Sequence, residues 1–490
     1  MSAPTTGPPP TSSRKWLILG TLMFGTFMST LDSSIVNIAL PTIRRELGAG
    51  DSVEWIVICY LLTTTSTLLI MGKISDWVGR RQIYISGFCV FVLGSLLCGL
   101  AWNLWSLVGF RVVQGLGAAM IYAVGPAIIG DTFAPHERGQ AMGIMGSVVA
   151  AGSSAGPVIG GFLLAKFGWS SIFFVNVPIG LLAIWRAWAI LPESPKMPGQ
   201  RFDLVGAGLF LVGVTTLLTG LDFGSDPHYG WNHPFVVASL STGLVLLLLF
   251  LFWENRVQEP MLQLSLFRIR PYTAAILAAF CGFLASGGNL FVIPFFLQQV
   301  LDLTPDRAGL VLLAGPVTLS LVAPLGGYLS SRISTRWLSS TGLLIAACGY
   351  FALSFLDSHW IWTDVVWRTA LVSLGFGLFQ SPNSSSALNS APVAQRGIAS
   401  SMIAFMRNLG FVVGIALAAA VWYSSRNRFA LAEGLESESI TAQLRGMHYT
   451  YLTMTGLVLV GALISFSRGN TVLPASPPLV SDASGVKADN

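Results

Sequence analysis

The sequence predicts an all-α integral membrane protein of fourteen transmembrane helices: two six-helix bundles in a pseudo-two-fold relation, with two further helices inserted between them. Three observations carry this. Of 490 residues 53% are hydrophobic and 10% charged, whereas a soluble domain has about 25% charged residues. Apolar runs of about 20 residues, the length that crosses a hydrocarbon core, recur fourteen times along the chain. Several features of the first half return in the second at one constant spacing, the mark of an internal duplication.

Residues 1–15 are rich in Pro, Ser and Thr and read as a disordered cytoplasmic tail. The run at 16–40 contains Asp32 and no small-residue cleavage site, so it is a retained span and not a signal peptide. It is followed by runs at 54–72, 82–101, 104–130, 140–165 and 171–191, which complete an N-terminal bundle over 16–191. Runs at 204–221 and 234–254 form the inserted pair within 192–260. The C-terminal bundle, 261–470, takes the runs at 272–298, 307–329, 337–356, 362–386, 397–422 and 448–467, and 471–490 is a second cytoplasmic tail.

The duplication is visible in particular residues. The loop Gly72-Lys73-Ile74-Ser75-Asp76-Trp77-Val78-Gly79-Arg80-Arg81 has a worn copy at Gly327-Tyr328-Leu329-Ser330-Ser331-Arg332-Ile333-Ser334-Thr335-Arg336, in which Ser331 stands where Asp76 stands. Arg138, Gly139, Gly152 and Gly156 recur in register as Arg396, Gly397, Gly410 and Gly414. The inserted pair falls outside this repeat.

The formal net charge is +5, but the Lys and Arg residues are scattered through short loops, which excludes a nucleic-acid-binding face. The positive-inside bias puts both termini in the cytoplasm; the opposite topology would expose Arg80, Arg81, Arg256, Arg268, Arg270, Arg332 and Arg336 outside. The five cysteines lie in apolar runs without CxxC spacing, so neither a disulfide framework nor a zinc site is expected. No metal and no cofactor are expected. The five histidines fall in loops or at span ends, and Gly152 to Gly156 spells GxSxG without a preceding strand, so no enzymatic chemistry is expected.

Charges inside spans are the informative residues. An ionised carboxylate in a bilayer costs several kcal/mol, so Asp32 is either functional or a structural hydrogen-bond partner. Gly25, Ser29 and Asp32 share one helix face. Arg111 enters its span from the outer side to about the depth of Asp32, so that the two charges can meet; the other reading of Arg111 is a snorkelling anchor. Gln114, Gly115, Ala118 and Tyr122 continue its face. In the Gly72–Arg81 loop, Gly72 and Gly79 permit close approach and a tight turn, Asp76 is placed to accept from a helix N-terminus, and Arg80 to reach Asp131 at the end of a neighbouring span. The alternative for this loop is a turn with no gating role. Gly152, Gly156 and Gly160, with Pro157 and Gly161, make a small-residue ridge that lets two helices approach. Arg407 either binds substrate or holds helices together. Asn289, Gln298, Gln380, Asn383 and Asn389, with Phe291, Phe295 and Phe379, either line a cavity or make interhelical contacts.

In these motifs the chain resembles the major facilitator superfamily, and within it the fourteen-span drug:proton antiporters of the EmrB/QacA type. The resemblance covers nearly the whole chain. It rests on the Gly72–Arg81 loop, on Leu31-Asp32-Ser33-Ser34-Ile35-Val36-Asn37-Ile38-Ala39-Leu40-Pro41, and on Arg111-Val112-Val113-Gln114-Gly115-Leu116-Gly117. It continues in Gly152-Ser153-Ser154-Ala155-Gly156-Pro157-Val158-Ile159-Gly160-Gly161 and Asn176-Val177-Pro178-Ile179-Gly180. Ser34 and Ser170 depart from residues common in that family.

The resemblance implies proton-coupled export of amphipathic drugs or antibiotics by alternating access, from a bacterial cytoplasmic membrane. It implies proton coupling at Asp32 and Arg111 and a cytoplasmic gate of Gly72, Asp76, Gly79, Arg80, Arg81 and Asp131. The antiporter ridge is then Gly152, Gly156, Pro157, Gly160 and Gly161. Substrate contacts are expected among Asp32, Gln114, Asn289, Phe291, Gln380 and Arg407. The partners expected are a small amphipathic substrate, protons and membrane lipid, with the chain working as a monomer; whether a periplasmic adaptor protein joins it stays open. The same scaffold also suits export of one endogenous metabolite, lipid or siderophore. A transporter-like sensor is a remoter reading.

Overall fold

The fold is given by a computed structural model, which describes residues 12–48, 53, 55–193, 203–225, 229–257, 260, 262, 264–392, 395–436 and 439–469. Most of the two expected tails, 1–11 and 470–490, lies outside the described residues. Every one of the fourteen apolar runs carries a helix. The first half contains α1 (Ser12–Glu46), α2 (Trp55–Val78), α3 (Arg80–Gly99), α4 (Leu104–Thr132), α5 (Arg138–Phe167), α6 (Ser171–Phe174) and α7 (Asn176–Ile190). The middle pair is α8 (Leu204–Ser225) and α9 (Pro234–Glu254). The second half contains α10 (Arg270–Phe295), α11 (Pro305–Leu312), α12 (Ala314–Leu329), α13 (Thr335–Ser354), α14 (Trp362–Ser390), α15 (Arg396–Glu433) and α16 (Ile440–Phe466).

Two expected single spans are broken, and proline explains both. Pro178 and Pro316 lack an N–H, and the ring of each clashes with the carbonyl four residues earlier. Those carbonyls belong to Phe174 and Leu312, where α6 and α11 end. The opposite economy holds between α2 and α3, which are separated by Gly79 alone. Its φ of 115° is open to glycine and strained for other residues.

Among the described residues twelve helical stretches are long and apolar enough to cross a membrane. The long helices outside that set are α1 and α14, whose interiors hold Ser29, Thr30, Asp32, Ser381, Asn383, Ser384, Ser385 and Ser386, all buried. Their polarity is turned inward, onto other helices. Exposed Trp102, Trp105, Trp188, Trp337, Trp362 and Trp367 cluster near helix ends, where amphipathic rings suit a lipid–water boundary.

Helix pairing repeats between the halves. The contacts α1–α5, α2–α4, α3–α4, α3–α7 and α1–α7 are matched by α10–α15, α12–α14, α13–α14, α13–α16 and α10–α16. The contacts between halves are matched too: α5 meets α12 and α14, as α15 meets α2 and α4. The α8–α9 pair joins the rest through α8, which lies against both α2 and α15. Phe210 of α8 packs on Phe405 of α15 with ring centroids 5.3 Å apart.

Candidate functional site

Three sites follow from this packing: a charged junction at the inner end, a buried network beside α1, and a cavity between the halves. The inner end is the one that carries the α2–α3 turn and the starts of α1 and α5.

At the junction Asp76 of α2 caps the second half. Its Oδ1 and Oδ2 accept from the N–H groups of Gly397 (3.1 Å) and Ile398 (3.2 Å) at the start of α15, where orphan donors and the helix dipole favour a carboxylate. Arg80 donates to Asp76 at 2.9 Å and also to Asp131 of α4. Asp131 is shared, because Arg396 of α15 donates to its Oδ1 at 3.1 Å and to the Gly130 carbonyl at 2.9 Å. Arg81 donates to the Trp188 carbonyl at 2.6 Å and lies 3.7 Å from Glu193. The repeat-related partner of Arg396 is Arg138, and that of Asp131 is Asn389; Arg138 donates to Asn389. Each half thus offers an arginine to the last turn of the other's fourth helix.

Glycine makes this closeness possible. A Cβ at Gly72 would lie 1.9 Å from Ser401 Oγ, and one at Gly397 2.3 Å from Asp76 Oδ1. The other seam matches: a Cβ at Gly327 would lie 2.2 Å from the Gly139 carbonyl. That seam lacks the acid, since Ser331 is exposed and bonds its own helix at the Tyr328 carbonyl.

The network around Asp32 is closed to solvent. Arg111 Nη1 donates to Asp32 Oδ2 at 2.7 Å, and Gln114 Nε2 and Asn176 Nδ2 donate to Oδ1 at 2.8 and 2.7 Å. Asp32, Gln114 and Asn176 are fully buried, and Arg111 is 1% exposed. Arg111 also donates to the Ile56 carbonyl at 3.0 Å and to Gln114 Oε1 at 2.6 Å, and its guanidinium lies 4.0 Å from the centroid of the Tyr60 ring. Because Gln114 Oε1 accepts from Arg111, its amide must present Nε2 to Asp32. Every named neighbour donates, which suits a carboxylate and leaves a carboxylic acid's proton without an acceptor. Asn176 and Ser95, whose hydroxyl accepts from Gln114 at 2.6 Å, were not among the expected site residues. Asn176 is the first residue of α7, at the break imposed by Pro178, and its motif was the signal available.

The ridge on α5 packs against α1 close to this network. A Cβ at Gly152 would lie 3.0 Å from Thr30 Cβ, at Gly156 1.9 Å from Ser34 Oγ, and at Gly160 2.6 Å from Ile35 Cγ1. Gly161 has nothing within 4 Å and takes no part in the contact. The side chain of Pro157 lies outside the described residues.

Between the halves lies a cavity with an empty volume of ≈ 810 Å³, open mouth included. Its lining pairs repeat-related positions: Tyr122 with Gln380, Gly125 with Asn383, Met145 with Ile403, and Val149 with Arg407. Of the residues expected to touch substrate, Gln380 and Arg407 line this cavity. Asp32 and Gln114 belong to the buried network, Asn289 accepts from the Tyr451 hydroxyl at 3.1 Å, and Phe291 packs on Phe295 and Trp422.

This arrangement, repeated halves around one cavity, matches known proteins. A family model described as Major Facilitator Superfamily matches residues 22–415. The chain belongs to the Major Facilitator Superfamily. It is 34% identical over 411 residues to "Riboflavin transporter RibZ" of Clostridioides difficile (strain 630), covering 82% of this chain and 87% of that one. It is 34% identical over 413 residues to "Multidrug resistance protein Stp" of Mycobacterium tuberculosis (strain CDC 1551 / Oshkosh), covering 82% and 75%. The solved structure of the proton:xylose symporter XylE superposes with a TM-score of 0.65 at 15% identity, covering 93% of this chain and 95% of that one, a likeness of fold alone. As a member of the Major Facilitator Superfamily this is a multi-pass membrane transporter of small molecules and not an enzyme.

Proposed function

We propose that this transporter exports amphipathic small molecules from the bacterial cytoplasm in exchange for protons, by alternating access, with both termini cytoplasmic. The observation that carries the reading is the Asp32 network: a carboxylate buried at membrane depth, held by three donors on α4 and α7. Protonation removes the counter-charge of Arg111 and turns an acceptor into a donor that faces donors. Asn176 has an unused buried Oδ1, so a turn of its amide supplies the acceptor the acid needs. Proton binding therefore repacks the start of α7 against α1, and through Thr30 and Ser34 bears on α5.

The charged contacts that join the halves lie at the inner end, and on this reading the conformation holds the cytoplasmic side shut. Its cycle continues with proton uptake at Asp32 from outside, separation of the junction, and proton release inward as substrate enters the cavity. Each pH unit supplies about 1.36 kcal/mol per proton, and each 100 mV about 2.3 kcal/mol per charge. In inside-out vesicles monitored by a pH-sensitive dye, added substrate dissipates the proton gradient through the native chain. Asp32→Asn abolishes that response while the protein stays folded; a native response in this variant removes the assignment.

A second reading, transport of a single endogenous metabolite, draws support from the relative named a riboflavin transporter. Counterflow of labelled riboflavin against a panel of amphipathic drugs separates the two: saturable riboflavin exchange unaffected by the panel favours the metabolite.

A further inference from the structure

We propose that the substrate this cavity recognises is an anion, an amphipathic molecule whose carboxylate or similar oxyanion group is bound by Arg407, which deepens the export reading and rests on it. Arg407 is the charged residue of the lining, and among the described residues the lining contains no Asp or Glu. Its neighbour on the first half is the ring of Tyr122, with the guanidinium 5.5 Å from the centroid. Among the described residues Arg407 makes no hydrogen bond or ion pair. A guanidinium carries five N–H donors in a planar fork that matches an oxyanion, and a half-buried one without a counter-ion leaves those donors for a ligand. The repeat-related residue is Val149, so the charge sits on one wall and faces an apolar one made by Met145, Val149 and Ile121.

The polar groups around it reinforce the sign. Gln380 lines the cavity and, among the described residues, makes no hydrogen bond. Asn383 has its amide committed: Nδ2 donates to the Ala275 carbonyl at 2.8 Å, and Oδ1 accepts from Arg468. Arg468 is 1% exposed, and its Nε and Nη1 have no partner. A second cation thus stands behind the cavity wall. Its charge reaches the cavity through low-dielectric protein, where screening is weak. A cationic drug entering here meets repulsion; an anion with an aromatic or aliphatic body meets a fork at one end and apolar residues at the other.

The test uses the full chain in phosphatidylcholine nanodiscs, without any proton gradient, and three probes of one shape: 2-naphthoate, 2-naphthamide and 2-naphthylmethylammonium. Calorimetry or thermophoresis gives the dissociation constants. The naphthoate binds at least tenfold more tightly than the amide, and the ammonium binds more weakly than either. Arg407→Gln removes the preference and Arg407→Lys keeps part of it. Val149→Glu, which sets an acid across from Arg407, also removes it, so the outcome does not hang on one variant that fails to fold. Equal binding of the three probes, no naphthoate binding at millimolar concentration, or a preference that survives both Arg407→Gln and Val149→Glu overturns the proposal. So does a loss of naphthoate binding beyond tenfold in phosphatidylglycerol discs, which would assign the site to a lipid headgroup. The readout is independent of Asp32: its failure leaves the proton-exchange test standing, and the failure of proton exchange in vesicles leaves the charge preference measurable.

Discussion

At Asp32 a single carboxylate holds three helices, and its removal and its partner's removal are not equivalent. Taking away Arg111 leaves a buried negative charge with two amide donors and no counter-ion, a loss on the order of 3–5 kcal/mol for a broken buried pair. Taking away the charge on Asp32 leaves Arg111 its carbonyl at Ile56, its amide at Gln114 and the Tyr60 ring. Melting of purified protein is therefore expected to fall further in Arg111→Gln than in Asp32→Asn, and the double variant to regain part of the loss. Strictly additive effects in that cycle mean that the two residues do not interact. The meeting of Asp32 and Arg111 was legible in the sequence because depth along a helix follows from counting residues. The part played by Asn176 was not, because depth along a helix does not tell which neighbour a side chain is turned toward.

The closest seams between helices in this chain close over glycine. The α2–α15 seam closes over Gly72 and Gly397, and the α5–α12 seam over Gly139 and Gly327. Gly72→Ala is expected to push α2 from α15 and raise the accessibility of the inner end, read as faster labelling of a cysteine placed at Ser401. Gly109→Ala, at a position with nothing within 4 Å, is the matched control and should leave labelling unchanged. If both variants label alike, the close approach at Gly72 is not what holds the seam. The ridge of Gly152, Gly156 and Gly160 was readable as a packing surface, but its partner was not: four-residue spacing names a face and says nothing of which helix meets it. The broken spans were equally hidden in a hydropathy reading, since Pro178 and Pro316 sit in runs that stay apolar across the break.

Taken as a molecule, the chain is a pair of matched halves whose joint can be tested by fastening it. Ser147 on α5 donates to the Ser320 carbonyl on α12 at 2.6 Å, and the Ser320 hydroxyl donates to the Ser147 carbonyl at 3.5 Å. Cysteine differs from serine by one atom, so the double variant Ser147→Cys, Ser320→Cys is expected to cross-link on oxidation and lose transport, with recovery on reduction. Each single variant should transport under both conditions. Undiminished transport with the bond formed would show that the halves do not part along this seam. The duplication itself was legible because Arg138 and Arg396 and their glycines recur in register; the crossing of those arginines onto Asp131 and Asn389 was not, because a repeat tells which residues correspond and not which half each one reaches.

The lining pairs have a further consequence. At the seams the glycines and arginines of the two copies correspond, Gly72 with Gly327, Gly139 with Gly397 and Arg138 with Arg396, while the acids Asp76 and Asp131 answer to Ser331 and Asn389. Inside the lumen they have parted, tyrosine from glutamine at 122 and 380, glycine from asparagine at 125 and 383, valine from arginine at 149 and 407. On the proposal that this cavity holds the substrate, a replacement at one of these lumen positions changes the cargo while leaving the seam glycines as they were, so selectivity and motion are free to vary separately.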